Sequence, residues 1–256
     1  MSAIKTLGFT ILAGLSANAV SAEFSFDHTG SGVGTGITPV GKLAWEQSIP
    51  SASYYEERNE NGQKVKVTTL NADVLLRTGL AEGLELQLGW DGPGWSKVKV
   101  GKDSKEYDGL GDVSIGIKKA IDLDDDKMSM AVLAQATIAT GNDDFTNGDD
   151  IYSLGSVVAY QYNDWVTTSI SMIYEVQNSD WAVTAVPTVE YQIAGNWSGF
   201  SELVYKKAES KDVEYNLGSG LIYTINDRAQ VDATVGVDLN GLDKSYQAGL
   251  GFSYLF

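Results

Sequence analysis

The sequence predicts an all-β protein: a single transmembrane antiparallel up-and-down β-barrel of about 12 strands, following a cleaved signal peptide. Three observations carry this. The last twelve residues alternate strictly between aromatic or apolar and small polar side chains. Extended segments recur along the chain, and the connections between them alternate between short and long. The aromatic residues gather at the ends of those segments.

Taking the closing stretch first, Tyr246, Ala248, Leu250, Phe252, Tyr254 and Phe256 fall on one side of an extended chain. Ser245, Gln247, Gly249, Gly251 and Ser253 fall on the other, as a side-chain period of two requires. Such a strand is long enough to cross hydrocarbon at a tilt. A terminal aromatic after it resembles the C-terminal signature of bacterial outer-membrane barrels. The resemblance implies that Tyr254 and Phe256 form an assembly signal read by the barrel-assembly machinery. An edge strand of a soluble sandwich is the alternative for this segment alone.

The N-terminus reads as a secretory signal over residues 1–22. Lys5 supplies its positive charge, Leu7 to Leu15 its apolar core, and Val20-Ser21-Ala22 a cleavage site, with Ala17-Asn18-Ala19 as a second candidate. Its apolar run is too short to span a membrane as a helix. Residues 23–40 form a Gly- and Thr-rich lead-in without periodicity, a segment that can tuck into a barrel lumen as a plug. Its glycines do not match the phosphate-binding spacing G-x-G-x-x-G. The barrel itself is expected over residues 41–256.

Within that span the apolar positions of successive strands run Leu43 to Ile49, Leu70 to Leu76, Leu84 to Trp90, Val113 to Ile117 and Met128 to Ile138. They continue as Tyr152 to Tyr162, Trp165 to Val176, Trp181 to Tyr191, Trp197 to Lys206, Tyr215 to Ile225 and Val231 to Leu239 before the closing strand. Connections after the even-numbered segments are short; those after the first, third, fifth and ninth are longer and polar, including Ser51 to Gln63 and Asp91 to Asp108. Short turns inside and long loops outside are the asymmetry of outer-membrane barrels. Trp165, Tyr191, Trp197, Tyr223, Tyr254 and Phe256 lie near the short-turn ends. Trp90, Trp181, Tyr205, Tyr215 and Tyr246 lie near the long-loop ends, which gives two girdles.

Composition narrows the chemistry. The chain has 256 residues, no cysteine, a single histidine (His28) and a net charge of −16. Disulfides and thiolate metal sites are excluded, and the acidic balance argues against nucleic acid as a partner. One histidine in the lead-in and no G-x-S-x-G leave no constellation for an enzyme. No cofactor or metal is expected; the acidic loop Gly141 to Asp150 lacks the ligand spacing of an EF-hand and reads as a solvated loop.

The inward-facing set is more informative. By parity it includes Arg77, Glu85, Asp112 and Lys118, expected as lumen ion pairs. Arg77 and Glu85 flank the turn Leu80 to Gly83, so a hairpin of that register sets them opposite each other. Glu175, Glu190, Glu202, Asp232 and Asp238 share inward parity on the later strands and form an expected acidic wall. Charges so placed must be paired or hydrated. The lumen is therefore either wet or sealed by ion pairs and side chains, which can fill much of a barrel this size.

Several stretches resemble an outer-membrane family named for the meta-pathway of phenol degradation and labelled as transporters. They are Thr38 to Pro50, Leu75 to Trp90, Gly109 to Lys118, Ala136 to Gly141 and the closing Gly251 to Phe256. The resemblance implies a barrel in the cell outer membrane of a Gram-negative bacterium, among outer-membrane lipids and lipopolysaccharide. It also implies passage of small-molecule solutes, aromatic compounds among them, by passive or facilitated diffusion. A sealed structural or surface-interaction barrel is the competing expectation.

Overall fold

Alternation of apolar and polar residues, punctuated by turn residues, produces fifteen antiparallel strands among the described residues of a computed structural model. The described residues are 24–27, 30–240 and 244–256, so the expected signal peptide and His28 lie outside them. The strands are β1 (Leu43–Arg58), β2 (Lys64–Asn71), β3 (Val74–Ala81), β4 (Leu84–Trp90), β5 (Pro93–Val100), β6 (Asp103–Leu110), β7 (Val113–Ile121) and β8 (Met128–Ile138). They continue with β9 (Ile151–Asn163), β10 (Val166–Gln177), β11 (Asp180–Ala194), β12 (Trp197–Ala208), β13 (Glu214–Asn226), β14 (Ala229–Asp238) and β15 (Ser245–Leu255).

Twelve of them close a ring. β1, β3, β4 and β7 to β15 pair in that order, and β15 returns to β1 with Trp45 opposite Tyr254 and Tyr54 opposite Tyr246. The Phe256 N–H donates to the Leu43 carbonyl at 2.8 Å and finishes the seam. Closure leaves no unpaired edge around the ring, the condition for backbone to stand in hydrocarbon.

The two faces of the ring are inverted relative to a water-soluble protein. Leu154, Leu250 and Val235 point outward and are 58%, 55% and 63% exposed. Glu46, Arg77, Glu85 and Lys118 point inward and are fully buried. Large apolar side chains outside and charges inside suit a shell of lipid around a polar lumen. Trp165, Trp197 and Phe256 ring the short-turn end, the periplasmic end by this architecture, and Trp181, Tyr205, Tyr215 and Tyr246 ring the other.

Two expected loops are strands. The stretch Ser51 to Gln63 is mostly the continuation of β1, and Asp91 to Asp108 is mostly the β5–β6 hairpin. Charged residues conceal them: Glu56 to Arg58 in the first, and in the second Lys97 and Lys99, which alternate with Val98 and Val100. The second, third and fourth strand paths are each interrupted at one level, at residues 72–73, 91–92 and 111–112. Above the interruptions β2 pairs with β1 and β5, and β6 pairs with β5 alone. Upper β1, β2, β5 and β6 thus form a flap rising from the wall. Gly92 is required at its base: its φ is +72°, and a Cβ there would collide with the Ala72 carbonyl. The interruptions bond to each other, Gly111 N–H to the Gly92 carbonyl at 2.8 Å and Ala72 N–H to the Pro93 carbonyl at 3.1 Å.

Candidate functional site: the barrel lumen

The lead-in enters the ring from the periplasmic end, and its first anchor is a glycine. Gly79 on β3 has no side chain, which lets the Thr38 and Pro39 carbonyls lie against its backbone; Val40 forms a parallel bridge with it. Further on, the lead-in touches strand after strand. The Thr38 N–H donates to Glu85 Oε2 (2.6 Å), Thr35 Oγ1 meets Ser129 Oγ (3.0 Å), and the Val33 N–H donates to Ser171 Oγ (3.0 Å). The Ser31 N–H and hydroxyl both donate to the Glu202 carboxylate, the hydroxyl at 2.6 Å. The segment therefore spans the bore from β3 to β12.

Arg77 gathers this segment against the wall. Its Nε donates to Glu85 Oε1 at 2.9 Å and its Nη2 to Glu85 Oε2 at 3.1 Å and the Gly36 carbonyl at 2.8 Å. Nη1 donates to Glu46 Oε1 and the Ser25 carbonyl, both at 2.8 Å. All five guanidinium N–H groups are thereby used. The Phe24 ring lies 5.6 Å from Cζ, close enough for a cation–π contact. Lys118 Nζ pairs with Asp27 Oδ2 at 2.6 Å and lies 3.9 Å from Glu85 Oε1. The cluster sets two cations against three carboxylates, Asp27, Glu46 and Glu85, and Arg77 takes two of its partners from the lead-in backbone.

The expected pairing of Asp112 with Lys118 is corrected here. The two lie on one strand path, Asp112 at its interruption and Lys118 within β7, six residues apart and so about 20 Å. Asp112 instead accepts hydrogen bonds from Thr140 N–H (2.9 Å), Gly141 N–H (2.8 Å), Asn147 N–H (2.7 Å) and Asn147 Nδ2 (2.9 Å). It fixes the loop between β8 and β9. Asn142 of that loop clamps Leu110 in both directions, and Phe145 packs on the paired glycines Gly94 and Gly109 of the flap. The loop so lies over one side of the outer mouth. Asp27 is the residue that sequence reasoning missed, because nothing periodic marks the lead-in.

The five acids of the expected wall share one side of the barrel, on β10, β11, β12 and β14, but not one height. Glu190 and Asp232 lie toward the periplasmic end and Glu202 nearer the middle. Glu175, 3.6 Å from Lys206 Nζ, and Asp238, across from Asn216, lie toward the outer end. They form a column rather than a ring. Two cavities flank the lead-in. The outer one, about 320 Å³, is lined by Ser51, Asn71, Asn216 and Gln247. The inner one, about 1040 Å³, is lined by Phe24, Phe26, Met130, Glu190 and Gln230. Phe200 and Glu202 border both.

The family model described as "Putative MetA-pathway of phenol degradation" matches residues 14–256. The chain belongs to that family. No curated protein matches its sequence. Among solved structures, an outer membrane channel from Pseudomonas putida F1 is similar in fold, with a TM-score of 0.67 at 13% identity, covering 85% of this chain and 96% of the channel. The translocator domain of the autotransporter NalP from Neisseria meningitidis gives 0.56 at 10% identity, with 90% of each chain covered. The KdgM porin gives 0.51 at 13% identity, covering 81% of this family member and 99% of the porin. These likenesses are of fold.

Proposed function

We propose that the barrel passes small solutes across the outer membrane by passive or facilitated diffusion, with the lead-in as an internal gate. The observation that carries this is the pair of cavities that share Phe200 and Glu202 as a border. What separates them there is the lead-in, held to Glu202 by hydrogen bonds from one serine. A contact of this size opens and closes readily, since each such bond has a net worth of about 0.5–1.5 kcal/mol, or up to about 3 to a charged partner. That proteins of similar fold include a channel and a porin agrees with the reading.

The inner cavity mixes aromatic and thioether groups (Phe24, Phe26, Phe200, Met130) with Glu190, Gln230 and Thr188. This lining suits small aromatic solutes that carry polar substituents. The test is conductance of the mature protein in a planar bilayer, with and without residues 24–37, and with Ser31→Ala. We expect low or intermittent conductance in the full chain, more frequent opening in Ser31→Ala, and a large steady conductance on deletion. No conductance from any of the three would leave the sealed structural barrel. Liposome uptake of phenol against glucose then reads the aromatic preference.

A further inference from the structure

The outward face of the flap is arranged in rows across four or five strands. Nearest the lipid, Ala248, Ala52, Leu70 and Trp95 stand side by side, followed by Asp108 at the edge. One row farther out are Tyr246 and Tyr54, stacked with centroids 6.4 Å apart, then Thr68, Lys97 and Glu106. The next row is Lys244, Glu56, Lys66 and Lys99, since the Glu56 N–H donates to the Lys244 carbonyl and Lys66 faces Glu56 on one side and Lys99 on the other. Arg58 and Lys64 face each other above it.

In a chain of net charge −16 this face is reversed in sign, six cations against Glu56, Glu106 and Asp108. Glu56 is shared by Lys64 (2.6 Å) and Lys66 (3.1 Å), and Glu106 is taken by Lys97 (2.7 Å). Among the described residues no carboxylate lies within 4 Å of Lys99 or Lys244. Lys66 and Lys99 are like charges directly opposite on one face, a destabilising arrangement unless an anion sits between them. A phosphate has several acceptor oxygens and can bridge neighbouring ammonium groups.

We propose that this face binds the phosphates of an outer-leaflet glycolipid, lipopolysaccharide, through Lys66, Lys99 and Lys244. The vertical order selects this occupant over a soluble polyanion. The acyl chains join the headgroup just below Ala52, Leu70 and Trp95, the sugars meet the Tyr54–Tyr246 stack, and the phosphates reach the lysine row roughly 13 Å farther up the strands, four residues above Ala52. A free anion has no use for the apolar strip.

The experiment titrates purified mature protein in detergent with lipopolysaccharide, with enzymatically dephosphorylated lipopolysaccharide, or with inorganic phosphate. Binding is read by native mass spectrometry and by the thermal unfolding midpoint. We expect lipopolysaccharide to bind and raise the midpoint, less so at high salt, and the dephosphorylated form to bind at least roughly tenfold more weakly. Lys66→Gln/Lys99→Gln/Lys244→Gln should weaken binding by a similar factor, and Lys207→Gln/Lys211→Gln, at the outer end of the other side, should leave it unchanged. Should the triple variant lose heat-modifiability, Lys99→Gln alone decides: roughly threefold weaker binding together with a higher midpoint in the ligand-free state. Equal binding of the dephosphorylated glycolipid, equal loss in the Lys207/Lys211 variant, or displacement by inorganic phosphate at matched concentration would overturn the proposal.

Discussion

Arg77 and Glu85 are diagonal neighbours that bond as though they were opposite. Across the β3–β4 ladder Arg77 faces Gln87 and Glu85 faces Gly79, yet Nε and Oε1 lie 2.9 Å apart. The residue directly opposite Glu85 is Lys118, on the other side of β4. Removing Arg77 leaves the buried carboxylates of Asp27, Glu46 and Glu85 with Lys118 as the one cation of the cluster, so Arg77→Ala should cost about 3–5 kcal/mol. Removing Glu85 as well relieves part of that, with a coupling of about 1–3 kcal/mol. Urea unfolding of the four proteins in a double-mutant cycle measures it. Simple additivity would show that the two side chains act independently.

Charge along the column should set ion preference. Glu190, Glu202, Asp232 and Asp238 face the lumen on one side, while Arg77 and Lys118 are neutralised within their own cluster. Low-dielectric walls focus such a field, and acidic linings favour cations. The reversal potential in a potassium chloride gradient should show cation preference, stronger at low salt. Changing Glu190, Glu202 and Asp232 to Gln or Asn should reduce it. Anion preference in the unaltered protein would refute the model.

The end of the chain closes the seam. Phe256 donates its N–H to Leu43, and its ring meets Tyr254 edge-on at 4.8 Å. Replacing Phe256 with Asp puts a charge at the membrane interface beside the seam. Folded, heat-modifiable protein in the outer-membrane fraction should fall severalfold, and undiminished levels would count against an assembly role.

Acid should spare the flap until the pH is low. Hydrogen bonds from Lys64, Tyr54 and Lys66 hold the Glu56 carboxyl down to about 2, from an ordinary 4.5. A depressed carboxyl contributes stability that is complete above its unfolded value and disappears as the pH falls through the folded one. The cluster is therefore unaffected from neutrality down to about 4.5 and loosens only between there and about 2. Carboxyl carbon NMR of Glu56 reads this directly. Lys66→Gln should move its midpoint upward.

The wall strands were legible because a lipid shell outside and a polar bore inside impose period two on every crossing. Parity assigns a face, however, and not a height: Asp112 and Lys118 share a face and cannot touch. It also fails across bulges. Between Ser48 and Ser51 the register slips, so odd-numbered Trp45 points outward before it and even-numbered Tyr54 after it. Asp27 was hidden for another reason, since its partners are set by how the lead-in crosses the lumen and not by any local pattern. The flap was masked by its own charges, Glu56 to Arg58 in β1 and the lysines of β5, which make a regular strand read as a polar loop.

The interruptions at residues 72–73, 91–92 and 111–112 mark a waterline. Below them every strand has two neighbours; above them β6 has a free edge whose amides need water or the loop beside it. β7, the wall piece beneath the last interruption, has nine residues. At about 3.3 Å per residue and a tilt of about 40° it climbs about 23 Å, close to the roughly 25 Å apolar band of such barrels. The sheet thus stays seamless through the depth of the oil and comes apart only where it surfaces. Amide exchange along this wall should register the membrane's thickness as a step between Leu110 and Val113.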